Sequence, residues 1–278
     1  MAMSILDQLN RKIYLEKIPS RIISVVPSIT ELLFDLGLRD EVVGITKFCV
    51  HPEEWFRTKQ RVGGTKQLKI DLIKSLQPDL IVANKEENTQ SDIDALAAFT
   101  QVYISDIKSV DDALKMISDV GALVGKKLEA EKLIEEIKIA FVKGNENARQ
   151  GTDTMHCVPT TKRALYLIWR EPFMLAGGDT FISEMMSKAG FENAASHLSR
   201  YPEMSVEQIL NLNSEILFLS SEPFPFMQKH IDEMQKIFPD KKIILADGQI
   251  FSWYGSRMKL APAYFRQLRT TIHELRTK

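Results

Sequence analysis

The chain has 278 residues, of which 44% are hydrophobic and 26% charged, enough to bury one large core or two moderate ones. A net charge of −1 and a pI near 6.5 leave no basic footprint for nucleic acid or an anionic membrane. No apolar run is long enough to span a bilayer, and the two cysteines, Cys49 and Cys157, form no disulfide framework, which fits a reducing compartment and leaves a single disulfide open.

The first twelve residues are amphipathic and lack the apolar stretch of a secretory signal. Either the protein stays in the cytoplasm or an export segment is not part of this chain. Strands are expected at 21–26, 42–45, 79–83 and 101–105, with helices between them. The second half repeats the theme, with strands at 163–168, 215–220 and 242–246. Such alternation predicts an α/β fold, with largely parallel sheets covered by helices.

Between the halves, residues 110–124 carry apolar side chains at helical spacing, and Gly125-Lys126-Lys127 interrupts them. A second helix is expected from Leu128 to about Asn147, with Leu133, Ile134, Ile137 and Phe141 on one stripe. At a rise of about 1.5 Å per residue it spans roughly 30 Å, enough to bridge two domains. A surface helix inside one domain is the alternative. The polar stretch Gly144–Lys162 then reads as the entry to a second lobe. The expected division is 1–125 for an N-terminal lobe, 126–148 for the bridging helix and 149–278 for a C-terminal lobe.

The chain nearly repeats itself. Residues 70–83 and 206–219 align without a gap: Asp71 falls on Glu207 (207 − 71 = 136) and Asp79 on Glu215 (215 − 79 = 136). Ile73 meets Ile209, Leu76 meets Leu212, and each copy ends in an apolar run. Each therefore reads as a short helix, a turn and a buried strand. A second pair, 28–37 and 181–190, aligns Thr30-Glu31 with Ser183-Glu184 and Gly37 with Gly190. Both copies suggest a helix with a capped, acidic start and a glycine stop. Duplication implies two similar lobes, and a cleft between lobes is a favoured ligand site.

Nucleotide-binding and hydrolase motifs are absent. Gly63-Gly64 and Gly177-Gly178 read as tight turns. Cys49-Val-His51 and His156-Cys157 place soft ligands together in sequence and allow a tetrahedral metal site. The alternative is a core Cys49 and a loop at His156-Cys157. His197, His230 and His273 read as surface residues. Aromatic residues cluster after the expected strands: Phe48, then Trp169 and Phe173 beside Arg170, then Tyr201, then Ser252-Trp253 with Arg257 nearby. Ligands of open α/β sheets bind beyond the carboxyl ends of strands, so these residues can form a binding wall, or the tryptophans can simply pack between helices.

The run 21–32 (Arg-Ile-Ile-Ser-Val-Val-Pro-Ser-Ile-Thr-Glu-Leu), then Val43-Gly-Ile, then Val62-Gly-Gly and Leu76-Gln-Pro-Asp-Leu-Ile-Val-Ala83, resembles the substrate-binding proteins of ABC importers for vitamin B12, haem and iron-siderophores. That resemblance implies two three-layer α/β lobes, mainly parallel sheets and one long backbone helix. It implies a non-enzymatic monomer with no intrinsic cofactor, which holds a corrinoid, haem or ferric chelate between its lobes and delivers it to a permease dimer. It implies docking on the permease through Asp71 and Glu207, which the sequence alone reads equally as first-turn helix acids. Phe48, Phe173 and Tyr201 match aromatic pocket positions, and Trp253 lies in the matching loop. Thr65 and Asn84 stand where vitamin B12 binders carry tryptophan. Arg170 or Arg257 would pair an anionic group of the ligand. The resemblance places the protein in the periplasm, whereas the missing export signal reads as cytoplasmic. An enzyme acting on a corrinoid or chelate remains the alternative, with Glu171 and His51 or His156 as its titratable groups. A direct receptor for a transition-metal ion is the third reading.

Overall fold

A computed structural model describes residues 3–150 and 162–274. The chain divides into two compact units. The first comprises 1–107, 111–137 and 254–257; the second comprises 108–110, 138–253 and 258–278. The long helix Lys127–Gln150 carries the chain from the first into the second.

In the first unit a five-stranded sheet runs in the order Gln60–Arg61, Val42–Ile45, Ile22–Ser24, Leu80–Asn84, Gln101–Ser105, with every pairing parallel. Strands Ile22–Ser24 and Leu80–Asn84 are buried along their length, as the near-continuous apolar runs require when helices cover both faces. The second unit orders Glu203–Met204, Phe173–Leu175, Lys162–Trp169, Ile216–Ser220 and Lys242–Ala246. Its pairings are parallel from Lys162–Trp169 onward and antiparallel at the Phe173–Leu175 edge. Leu165, Leu167, Leu217, Leu219, Met234 and Phe238 lie at the heart of its core.

The repeat is a repeat of structure. Helix Ile70–Ser75 and strand Leu80–Asn84 recur as helix Val206–Asn211 and strand Ile216–Ser220, both shifted by 136 (206 − 70 and 216 − 80). In the second pair, Gly37 and Gly190 both close their helices at φ +85°, a conformation that glycine adopts without strain. The helix starts differ from expectation. Thr180 caps Phe181–Lys188 by accepting from the Ser183 N–H, but Pro27–Asp35 begins at Val26 with no side-chain cap and no acid in its first turn. Pro27 has no N–H to satisfy there, and Glu31 lies too far along the helix to act at its start.

Other elements depart from the sequence reading for local reasons. The N-terminus forms a hairpin, Met3–Leu6 against Lys12–Leu15, whose turn is organised by the buried Asp7 accepting from the Leu9 and Arg11 N–H groups. Gly63-Gly64 is one strand of a second hairpin, paired with Gln67–Leu68. Gly144 is helical rather than a loop signal: a Cβ there would lie 2.7 Å from Pro262 Cβ, so glycine lets this helix approach helix Ala261–Glu274. His230 is buried rather than exposed. Its Nδ1 accepts from the Met227 N–H, and its ring packs between Phe224 and Phe226.

Candidate functional site

In the first unit the chain reverses its direction of travel across the sheet at Ile22–Ser24, which lies between Val42–Ile45 and Leu80–Asn84. Such a switch point opens a crevice at the carboxyl ends of the strands. Three loops meet there and are fastened by two asparagines. Asn84 is 1% exposed; its Nδ2 donates to Ser105 O and Oγ, and its Oδ1 accepts from the Glu86 and Glu87 N–H groups. Asn88 returns the contact, with Oδ1 accepting from Asn84 N–H and Nδ2 donating to Val25 O and Thr65 O. The amide of Asn84 is thus engaged inside the unit, and its role is to hold the loop. Thr65, half-buried at the hairpin tip, is anchored to that loop through its carbonyl.

Phe48 stands on this frame with half its surface exposed (51%). The Lys47 Nζ lies 5.0 Å from its ring centroid. Gly64 lies beneath them: a Cβ there would come within 3.2 Å of Phe48 Cε2 and 3.3 Å of Lys47 Cε. Lys66, two residues on, donates to the Glu86 carbonyl. Below the aromatic, Cys49 is fully buried with its Sγ 3.1 Å from the hydroxyls of Thr30 and Thr46. Burial pushes its thiol up to about 11, despite the hydrogen bonds from both threonines, so it is a neutral core group.

The stretch 254–257 belongs to this first unit although its neighbours in sequence belong to the second. Arg257 grips Glu31 with both arms of its guanidinium, Nε to Oε2 at 2.9 Å and Nη2 to Oε1 at 2.6 Å. The Tyr254 hydroxyl donates to Glu87 Oε1 at 3.2 Å. Arg257 was expected to pair a ligand anion; its fork is instead filled by a carboxylate of its own unit.

In the second unit the loops after Lys162–Trp169, Ile216–Ser220 and Lys242–Ala246 are aromatic. Trp169 is 37% exposed, donates Nε1–H to the Glu171 carbonyl and meets Phe224 edge-on at 5.6 Å. Phe173 is half-buried against Phe238, and Tyr201 is half-buried. Trp253 is 6% exposed, and its indole N–H donates to Glu222 Oε1 at 2.6 Å. The Ser252 hydroxyl lies 3.0 Å from that same oxygen. Arg170 is already paired, with Glu233 at 2.8 Å and more loosely with Glu171 at 3.6 Å. Sequence reasoning missed Glu222, Asn88 and Lys47. Glu222 was within reach, because the repeat extended two residues past its strands sets Glu222 on Glu86 (222 − 86 = 136).

Asp71 and Glu207 are both exposed in the first turns of their short helices. His51 is half-buried in the first unit and Glu171 exposed in the second, while His156 and Cys157 lie outside the described residues. Among the described residues no cluster of three or more His, Cys, Asp or Glu is placed to hold a metal ion. No described helix is long and apolar enough to cross a membrane.

A two-unit α/β protein with aromatic loops at its carboxyl strand ends is the class this architecture defines. Residues 22–241 match the periplasmic binding protein family, and the chain belongs to it. An uncharacterized ABC transporter substrate-binding lipoprotein of Bacillus subtilis is 28% identical over 76% of this chain and 67% of its own length. The vitamin B12-binding protein of Yersinia pestis is 27% identical over 84% of this chain and 80% of its own. Among solved structures, the apo periplasmic haem-binding protein of a Roseiflexus species superposes with a TM-score of 0.75. It is 22% identical and covers 88% of this chain and 95% of its own, so that likeness speaks to the fold.

Proposed function

We propose that this protein is the substrate-binding component of an ABC importer and that its ligand is a large metal chelate, namely a corrinoid, haem or ferric siderophore. The observation that carries this reading is the half-exposed Phe48, propped over Gly64 on a buried asparagine frame at a switch point. An aromatic held open in this way offers a stacking platform to a flat apolar ligand. Trp169, Phe173 and Tyr201 offer a similar surface on the second unit. Family membership and the names of the relatives support the same class. The protein captures and releases its ligand without chemical change and carries no resident cofactor. It works outside the cytoplasmic membrane, and the exposed acids Asp71 and Glu207 steer it onto a basic permease surface.

Isothermal titration with cyanocobalamin, haem and a ferric siderophore tests this reading. One of the three is expected to bind at a single site with micromolar affinity or better, and silence from all three would contradict it. Replacing Asp71 and Glu207 together by Ala is expected to leave that affinity intact and to abolish permease-dependent uptake. Loss of ligand affinity in the double variant would assign the two acids to the pocket or the fold.

A further inference from the structure

The cations expected to meet an anionic ligand, Arg170 and Arg257, are both committed to carboxylates of their own units. Lys47 and Lys66 are not: among the described residues neither forms an ion pair, and both are exposed on the carboxyl-end rim of the first unit. They flank the same aromatic platform. Lys47 Cε would touch a Cβ at Gly64, and Lys66 follows two residues later on the hairpin that Asn88 ties to the loop after Leu80–Asn84. Nothing in the packing of the unit demands a lysine at either place. Lys47 leans on Phe48, and Lys66 reaches only a main-chain carbonyl.

From this juxtaposition we infer that Lys47 and Lys66 are specificity residues, and that the ligand is a planar metal chelate whose periphery carries ionised carboxylates rather than neutral amides. The inference rests on the chelate-binding reading above and narrows it. A ring lying on Phe48 brings its edge to the two ammonium groups, which act as point charges on flexible stems and so accept carboxylates without fixed geometry. The loop after Leu80–Asn84 carries two acids of its own, Glu86 and Glu87. Glu87 accepts from the Tyr254 hydroxyl, and Glu86 lies on the loop that Lys66 touches. An anion is drawn to the lysines against the field of Glu86, so the charge of that residue tunes the preference.

The test compares ferric protoporphyrin IX, a dicarboxylate, with its dimethyl ester, and runs cyanocobalamin beside them. The dicarboxylate is expected to bind at least tenfold more tightly than the ester. Lys47→Gln and Lys66→Gln should each weaken it severalfold, the double variant should erase the preference, and Glu86→Gln should tighten the dicarboxylate alone. Equal affinity for acid and ester, or a preference that survives in the double variant, would overturn the inference and leave the binding-protein reading standing. Tight binding of cyanocobalamin with no porphyrin binding would do the same. No response to these three compounds would overturn the inference, and silence from a ferric siderophore as well would sink both.

Discussion

Asn84 in the first unit and Ser220 in the second occupy one position of the repeat (220 − 84 = 136), at the last residue of the duplicated strand. Both are buried, and both hold the loop that follows. Asn84 collects the Glu86 and Glu87 N–H groups on one amide oxygen, while the Ser220 hydroxyl donates to the Glu222 carbonyl and lies 3.2 Å from the Tyr166 hydroxyl. Beyond these anchors the loops diverge. The first rim carries lysines around a single exposed phenylalanine, whereas the second carries tryptophan and phenylalanine with its arginine and glutamates paired internally. The two copies share a polar anchor that fixes a loop at a strand end, and they differ in the chemistry of the rim.

The largest expected effect is at the anchors. Asn84→Ala leaves two N–H groups and Ser105 without their partner, and each buried group so orphaned costs about 1–3 kcal/mol. Ser220→Ala removes one hydroxyl and should cost less. Urea unfolding of both variants checks the order, and an equal loss would break the comparison of the two anchors.

Helix capping gives a smaller contrast. Ser205 and Gln208 form a capping box on Val206–Asn211, but its counterpart Lys69 (205 − 69 = 136) offers no cap to Ile70–Ser75. Ser205→Ala is expected to destabilise by about 1 kcal/mol. Asp71→Ala should cost about 0.3–1 kcal/mol, more than Glu207→Ala, because the uncapped helix depends more on its first-turn acid. Melting temperatures of the three variants decide the order.

The smallest effect belongs to Asp79. Burial raises its pKa, but hydrogen bonds from the Ser20 N–H and hydroxyl and the Arg21 N–H, with the charge of Lys17, outweigh burial and hold it below the ordinary 3.8. A depressed folded pKa contributes stability that is fully present above the unfolded value and is lost as pH falls through the folded one. Wild type should therefore lose more stability than Asp79→Asn on acidification from about pH 5 to about pH 3. Parallel curves for the two proteins would remove Asp79 from the account.

The scaffold was readable because its signals are periodic. The strands Val42–Ile45, Gln101–Ser105 and Lys242–Ala246 fall where the apolar runs predict them, and the duplicated helix–strand unit keeps its register through both copies. The N-terminal hairpin was not readable, since its turn depends on the buried Asp7 rather than on glycine or proline. The commitments of Arg170 and Arg257 were hidden for a different reason: Glu31 lies 226 positions from Arg257 in the chain, and no local pattern pairs them. Which cations are already paired is a property of tertiary packing, and it is why the carboxylate partners of both arginines escaped a reading of local patterns.

The most direct test of the account is tryptophan fluorescence during titration with a coloured chelate, in wild type, Trp169→Phe and Phe48→Ala. Trp55 and Trp253 are buried and Trp169 is exposed at a strand end, so the three tryptophans report from different depths. The account expects saturable quenching in wild type, a smaller amplitude in Trp169→Phe and a severalfold weaker affinity in Phe48→Ala. Saturable binding with the same amplitude and affinity in all three proteins would contradict it, because the ligand would then lie away from the carboxyl-end loops.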